Sequence, residues 1–287
     1  MLFLFFMNFN KKPIWLKVIL NIGDKYSKIN NLLVTASLNT ICQRSDCPNI
    51  GNCWKHGVLS FLLLGNICTR SCHFCSIKTG TPKKLNLLEP YKIANTIKKI
   101  KIKHVVLTSV NRDDLKDLGI TLWLKTIREI KKISTSTIET LIPDFKGQQK
   151  PISLLIKEKP ELISHNIETV PRLLKQVRST AKYERSLSLL KYIKKKCDIR
   201  TKTGLMLGLG ETEVEILNTF KDIRKANIDI LTLGQYLSPS FKHYEVQNFI
   251  NNKKFKYYKN IALNMGFFFV ESNPLVRSSY NAYKHIR

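Results

Sequence analysis

From about residue 58 onward, short unbroken apolar runs alternate with stretches in which apolar residues recur every three or four positions. Runs of the first kind read as buried strands, and stretches of the second as helices with one apolar face. The pattern predicts strands at Leu59–Leu64, His104–Ser109, Thr137–Ile142, Leu162–His165, Thr203–Leu207 and Ile230–Gly234. Helices are predicted between them at Tyr91–Ile100, Leu122–Ile133, Ile152–Lys157, Arg185–Lys195 and Thr212–Ala226. Pro90 suits the first turn of the first helix and Glu211 the positive end of the last. Six strand–helix units imply an α/β fold, an incomplete parallel (β/α)6 barrel rather than a doubly wound sheet. Polar residues fall at the predicted strand ends: Thr108, Ser109, Glu139, Asn166, Glu168 and Gln235. In barrels of this kind those ends line the active site.

The two ends of the chain lack this rhythm. Residues 1–57 read as an extension, 58–245 as the barrel, and 246–287 as a C-terminal segment. That last segment holds a helix over about Phe249–Asn264, a short strand at Phe267–Val270 and a tail. The opening Met1–Met7 is apolar but short, with no basic region before it, so neither a signal peptide nor a membrane span is expected. A net charge of +27 raises nucleic-acid binding as a possibility. The lysines are scattered near predicted helix ends, as in Lys98-Lys99, Lys131-Lys132 and Lys194-Lys195-Lys196, without interleaved aromatics. Solvated surface, or attraction to an acidic protein partner, fits that distribution better. The expectation is a cytoplasmic protein that binds no nucleic acid and no membrane.

Six of the seven cysteines form two triads, Cys42, Cys47, Cys53 and Cys68, Cys72, Cys75. They are too clustered for a disulfide scaffold and call for a reducing compartment. Three thiolates are one short of a closed zinc site. An iron–sulfur cube held by three cysteines keeps one iron open for another ligand.

The second triad, C-x3-C-x2-C in Cys68–Cys75, directly follows the first predicted strand and includes Phe74. In this it resembles the radical S-adenosylmethionine (SAM) superfamily. The first triad, C-x4-C-x5-C, comes with further segments. They are Thr108–Leu115 (TSVNRDDL), Glu139–Phe145 (ETLIPDF), His165–Val170 (HNIETV), Gly204–Glu211 (GLMLGLGE), Gly234–Leu237 (GQYL) and Arg277–Tyr280 (RSSY). Together they resemble the lipoyl synthase family from Pro13 to Ala282.

That resemblance implies two 4Fe-4S clusters and SAM as cofactors. The cluster on Cys68, Cys72 and Cys75 would chelate SAM at its open iron and cleave it reductively to a 5′-deoxyadenosyl radical. The cluster on Cys42, Cys47 and Cys53 would take a serine oxygen as fourth ligand, assigned to Ser279 with Ser278 as the alternative, and would supply sulfur. A serine oxygen is a hard, readily protonated ligand that leaves easily when a cluster is dismantled. Two sulfurs would enter at C6 and C8 of an octanoyl group on a lysine of a lipoyl domain or a glycine-cleavage-type carrier protein. Electrons would come from a ferredoxin- or flavodoxin-type donor. Thr108 and Ser109 would contact the methionyl amine, Asn166 and Glu168 the ribose, and Gln235 with Tyr236 the adenine; each also has a core or capping explanation.

Several residues carry bland readings. The glycine-rich Gly204–Glu211 lacks a phosphate-loop lysine and reads as room for close strand–helix approach. Arg112-Asp113-Asp114 is either a substrate-side loop or a helix cap. His56, His73, His165 and Cys197 have no partners at metal spacing. The chain departs from the family at Asn111 (usually Asp), Leu118 and Asn273 (usually Gly) and Asn281 (usually His). None is a cluster ligand, although a lost glycine strains any turn that needs positive φ. Two other readings compete: a radical SAM methylthiotransferase acting on tRNA, and a non-enzymatic iron–sulfur carrier.

Overall fold

A computed structural model describes residues 12–16, 18, 23–178 and 180–286; the opening Met1–Met7 lies outside them. Among the described residues the N-terminal extension holds a 3-10 turn, Ile14–Leu16, and the helices α1 (Asp24–Ala36), α2 (Ile41–Arg44) and α3 (Ile50–Lys55). The first barrel strand, β1 (Val58–Leu63), follows, and then two short paired strands, β2 (Ile67–Cys68) and β3 (Lys78–Thr79), bracket the second cysteine triad. The barrel proper continues through α4 (Glu89–Ile100), β4 (His104–Ser109), α5 (Ile120–Ile133), β5 (Thr137–Leu141), α6 (Gln149–Lys157) and β6 (Leu162–Ser164). Next come α7 (Pro171–Val177), α8 (Tyr183–Lys196), β7 (Arg200–Leu207), α9 (Glu213–Lys225) and β8 (Ile230–Gln235). The chain closes with α10 (Asn252–Asn264), β9 (Phe269–Ser272) and a 3-10 turn, Ala282–His285.

The main sheet runs β1-β4-β5-β6-β7-β8-β9 with every pair parallel. Helices cover its outer face, which is why β1, VLSFLL, is buried along its whole length. β1 and β9 form the two edges, so the barrel is incomplete. The sheet is nevertheless curled: the turn Ala282–His285 packs against β4 while its His285 meets Lys202 on β7 and Phe269 on β9, and Glu139 on β5 reaches Lys202 across β6 at 2.5 Å. The extension covers the β1 edge: Thr40 bridges to Phe61, and Trp54 is fully buried and stacked on Tyr26.

Differences from the predicted elements have identifiable causes. β9 adds a seventh strand, so the segment set apart as C-terminal belongs in part to the sheet. β7 starts at Arg200 rather than Thr203, because Lys202 is charged yet buried by its ion pair. Glu139 stands mid-strand inside the barrel and not at a strand end. Pro171 opens the short helix α7, which the periodicity is too brief to reveal. At the start of α9 it is Thr212 that caps, in a reciprocal box with Glu215, while Glu211 turns back to the amides of Gly208 and Leu209. Lysines fill the last turns of α4, α5 and α8, where helix carbonyls favour cations. In a βα barrel that is the face away from the strand C-termini.

Candidate functional site

Cys68 closes β2, and Cys72 and Cys75 follow in the loop that returns through β3. The Cys68 Sγ receives the backbone N–H groups of Arg70 at 3.4 Å and Asn111 at 3.3 Å, with Asn111 Nδ2 at 3.8 Å. Buried ion pairs anchor this loop. Arg70 donates to Asp113 at 2.5 and 2.8 Å and to Asp144 at 2.7 Å, and the other Asp144 oxygen accepts from Arg185 at 2.9 Å. Burial alone would raise the Asp144 carboxyl, but the two guanidiniums, Arg70 foremost, hold it down to about 2. Asp113 and Asp144 are therefore partners of the cysteine loop. Arg112 instead pairs with Asp114 and donates to the Leu64 carbonyl. Across the loop, the His73 N–H donates to Val177, Tyr244 N–H donates to His73, and a His243 ring N–H donates to the Cys75 carbonyl.

Arg178, which the sequence reading passed over, lies beside the Cys72 thiol and also faces Glu168. Glu168 is a left-handed residue, φ 77°, pinned to β7 by its N–H to Gly204 and by the Met206 N–H to its carbonyl. Burial pushes its carboxyl up, with Arg178 opposing. A strained, half-buried acid beside a thiol is the kind of arrangement that cores avoid and functional sites keep.

The first triad is built from both ends of the chain. Cys42 sits on α2, whose start Thr40 caps through the Gln43 N–H; Cys53 sits on α3, and Cys47 in the turn between. Asn49 Nδ2 donates to the Leu275 carbonyl at 2.6 Å. Arg277 lies beside Cys47, and the Asn281 backbone hydrogen-bonds Cys53. Asn281 is left-handed, φ 51°, a conformation asparagine tolerates. Ser279 thus lies between Arg277, which acts electrostatically on Cys47, and Asn281, which hydrogen-bonds Cys53. The Ser278 hydroxyl is bonded to Asn166 Nδ2 at 2.8 Å and its carbonyl accepts from Lys202 at 2.7 Å, so that serine is engaged on the barrel side. Gly234 permits this approach, since a Cβ there would sit 2.1 Å from the Val276 carbonyl oxygen.

Burial, then the neighbouring thiols, push Cys42 and Cys53 up to about 12. Burial likewise pushes Cys75 up to about 12, although the Ile77 N–H opposes it. Such thiols stay protonated until a metal displaces the proton. Among the described residues no three His, Cys, Asp or Glu side chains are arranged to hold a single metal ion. Two all-thiol triads, each with one buried and two half-buried cysteines and with N–H groups on their sulfurs, fit iron–sulfur cubes, which spread their ligands over several irons.

The strand ends supply polar groups. Ser109 Oγ and Asn166 Oδ1 are buried with no partner, which is uncommon and fits a polar cofactor such as SAM. Thr108 donates to the Leu141 carbonyl. Gly204 leaves room for Asn166, whose Oδ1 would be 3.0 Å from a Cβ there; its space serves a side chain rather than strand–helix packing. Gln235 reaches the rim, but its amide is bonded to the Tyr236 and Asn248 carbonyls and the Ile250 N–H, tying down the loop after β8. His165 is fully engaged by Ile142 and Ser186, and burial, then Arg178, lower it to about 4. Cys197 is bonded to the Ile193 carbonyl. Among the four family departures, Leu118 takes φ 55° in the turn before α5.

Residues 62–223 match the Radical SAM superfamily model. The lipoyl synthase of Karelsulcia muelleri (strain GWSS) is 61% identical over 280 residues, 97% of each chain. That of Flavobacterium psychrophilum is 52% identical over 276 residues, 96% of this chain and 95% of its own. Among solved structures, methylornithine synthase (PylB) aligns with a TM-score of 0.56 at 12% identity, covering 88% of this chain and 86% of its own, a likeness of fold alone.

Proposed function

The chain belongs to the lipoyl synthase family of the radical SAM superfamily and has that family's sulfur-inserting activity; on that premise we propose how its residues divide the work. Cys68, Cys72 and Cys75 hold one 4Fe-4S cluster, and Cys42, Cys47, Cys53 and Ser279 hold a second. When bound, the first cluster with SAM supplies the radical chemistry at C6 and C8 of an octanoyl chain, and the second supplies two sulfurs.

The protein's own residues set the conditions for that chemistry. N–H groups of Arg70 and Asn111 stabilise negative charge on the Cys68 sulfur. Arg178 balances the anionic side of the second triad beside Glu168. Ser109, Asn166 and Glu168 take the polar groups of SAM, with Thr108 fixing the end of β4. Gln235 acts through the loop after β8 that it holds. Arg277 beside Cys47 offsets the charge of the first triad. The substrate is an octanoylated lysine on a lipoyl domain or a glycine-cleavage-type carrier, typically acidic and thus suited to a basic surface. The electron donor is of ferredoxin or flavodoxin type. Among the described residues no helix is long and apolar enough to cross a membrane.

The observation that carries the reading is the meeting of the chain's ends, Arg277 at Cys47 and Asn281 at Cys53. Its test is anaerobic turnover of an octanoylated lipoyl-domain peptide with SAM and dithionite, followed by mass spectrometry. The expected product has gained two sulfurs, as the dithiol under the reducing conditions of the assay and two hydrogens lighter once oxidised to the disulfide. Unmodified peptide alongside thiolated tRNA would instead establish the methylthiotransferase reading.

A further inference from the structure

Beneath the two triads, the barrel interior contains a polar cluster that the chemistry above does not use. Lys202 on β7 and Glu139 on β5 are both fully buried. A lysine ammonium has three N–H donors. Here they go to Glu139 Oε1 at 2.5 Å, to the Ser278 carbonyl at 2.7 Å and to His285 Nδ1 at 3.2 Å. Glu139 is supported by the Ser164 hydroxyl at 2.8 Å and by His104, 3.7 Å away. Two of the three prongs therefore grip the C-terminal segment, one on each side of Ser279.

A buried ion pair is a poor way to stabilise a barrel, since apolar residues of similar volume do as well or better. What this pair adds is direction: a charged donor inside the sheet that only a correctly threaded tail satisfies. The hydrogen bond from a charged donor to the Ser278 carbonyl is stronger than a neutral one and fixes the backbone one residue before Ser279. Asn166, holding the Ser278 hydroxyl, fixes the same residue's side chain.

We propose that Lys202, held in place by Glu139, is a positioning residue that sets the Arg277–Asn281 segment, and with it Ser279, against the first cysteine triad. The link to cluster chemistry rests on the assignment of Ser279 as a ligand; the positioning of the segment does not. Lys202 touches neither cysteine triad. It acts through the Ser278 backbone.

The test is hydrogen exchange on the full chain, reconstituted with iron and sulfide, comparing wild type with the double variant Lys202→Met/Glu139→Gln, which leaves no buried charge alone. Amides of residues 277–285 should exchange at least ~10-fold faster, while those of β4 to β6 keep their protection and SAM cleavage is retained. Unchanged protection over 277–285 would overturn the proposal. Should the double variant fail to fold, His285→Leu removes one prong with the ion pair intact. A several-fold faster exchange confined to the same residues supports the proposal, and wild-type exchange there overturns it. Mössbauer spectra of Ser279→Ala separate the two ideas. If that spectrum matches wild type, Ser279 is not a ligand, yet the exchange result still reports on Lys202.

Discussion

The two cysteine triads share a ligand type and differ in construction. The second lies on one loop of the barrel, eight residues long, and its anchors come from the loops after neighbouring strands: Asp113 after β4, Asp144 after β5, Val177 at the end of α7. The first sits on short helices outside the barrel and is completed from the far end of the sequence, with Asn49 bonded to Leu275 across a separation of 226 residues. The barrel supplies most contacts that shape the second site, joined by one to the extension, from the Ser76 hydroxyl to the Arg44 carbonyl. The first exists only when both ends of the chain are docked, so perturbations of the tail should silence one site and spare the other.

The largest expected break between them comes from Ser279→Ala, which should lower sulfur insertion at least ~100-fold, with SAM cleavage still readily measured as 5′-deoxyadenosine. Ser279→Cys should assemble the cluster but turn over poorly, because a thiolate leaves less easily. Ser278→Ala should be milder; a dead Ser278 variant beside a healthy Ser279 variant would move the ligand role by one residue. Alanine at Cys42, Cys47 and Cys53 together should halve an iron content of about eight per chain, again sparing SAM cleavage. Gly234→Ala comes next. Its Cβ would meet the Val276 carbonyl oxygen at 2.1 Å, so the tail must shift, and sulfur insertion should drop by roughly 10- to 100-fold. Unimpaired insertion by this variant would show that the tail does not need its present path.

The reverse break falls on the second triad. Arg70→Met leaves Asp144 buried with only Arg185, and should cost about 3 kcal/mol of stability, with iron lost from the second site before the first. The same pair gives a pH dependence. The Asp144 carboxyl is depressed to about 2 in the folded chain. Its contribution is therefore complete above the unfolded value near 4 and is lost as pH falls from there through 2. Denaturant unfolding of the cluster-free protein between pH 5 and 2 should show this slope, flattened in Arg70→Met. The smallest effect is Asn281→Ala, about 1 kcal/mol for the left-handed turn at φ 51°, seen as faster iron loss from the first triad only.

The barrel was legible because strand and helix periods are local properties. Six strands and five helices could be read from spacing, with edges displaced by a few residues. Both triads were legible for the same reason: their ligands are near neighbours in sequence. What escaped depends on distant partners. Lys202 looks like a loop residue until Glu139 is beside it, and Glu139 looked like a strand-end acid until the curl of the sheet enclosed it. Arg178 carries no motif, and only folding brings it to Cys72. Of the two positions read as lost glycines, Leu118 has positive φ; Asn281, read as a lost histidine, has positive φ as well. Asn273 instead forms a side-chain turn to the Leu275 N–H.

The meeting of the two ends also sets an order of assembly. On a ribosome the first triad emerges earliest, yet Leu275 to Asn281 emerge only after every strand of the sheet has been made. Contacts this distant in sequence form late, because the loop they close is the longest in the chain. Until then Cys42, Cys47 and Cys53 lack their C-terminal partners, while Cys68, Cys72 and Cys75 already lie on one short loop. An interrupted chain would thus carry the second triad on its barrel loop while the first triad stood without Leu275, Arg277 and Asn281.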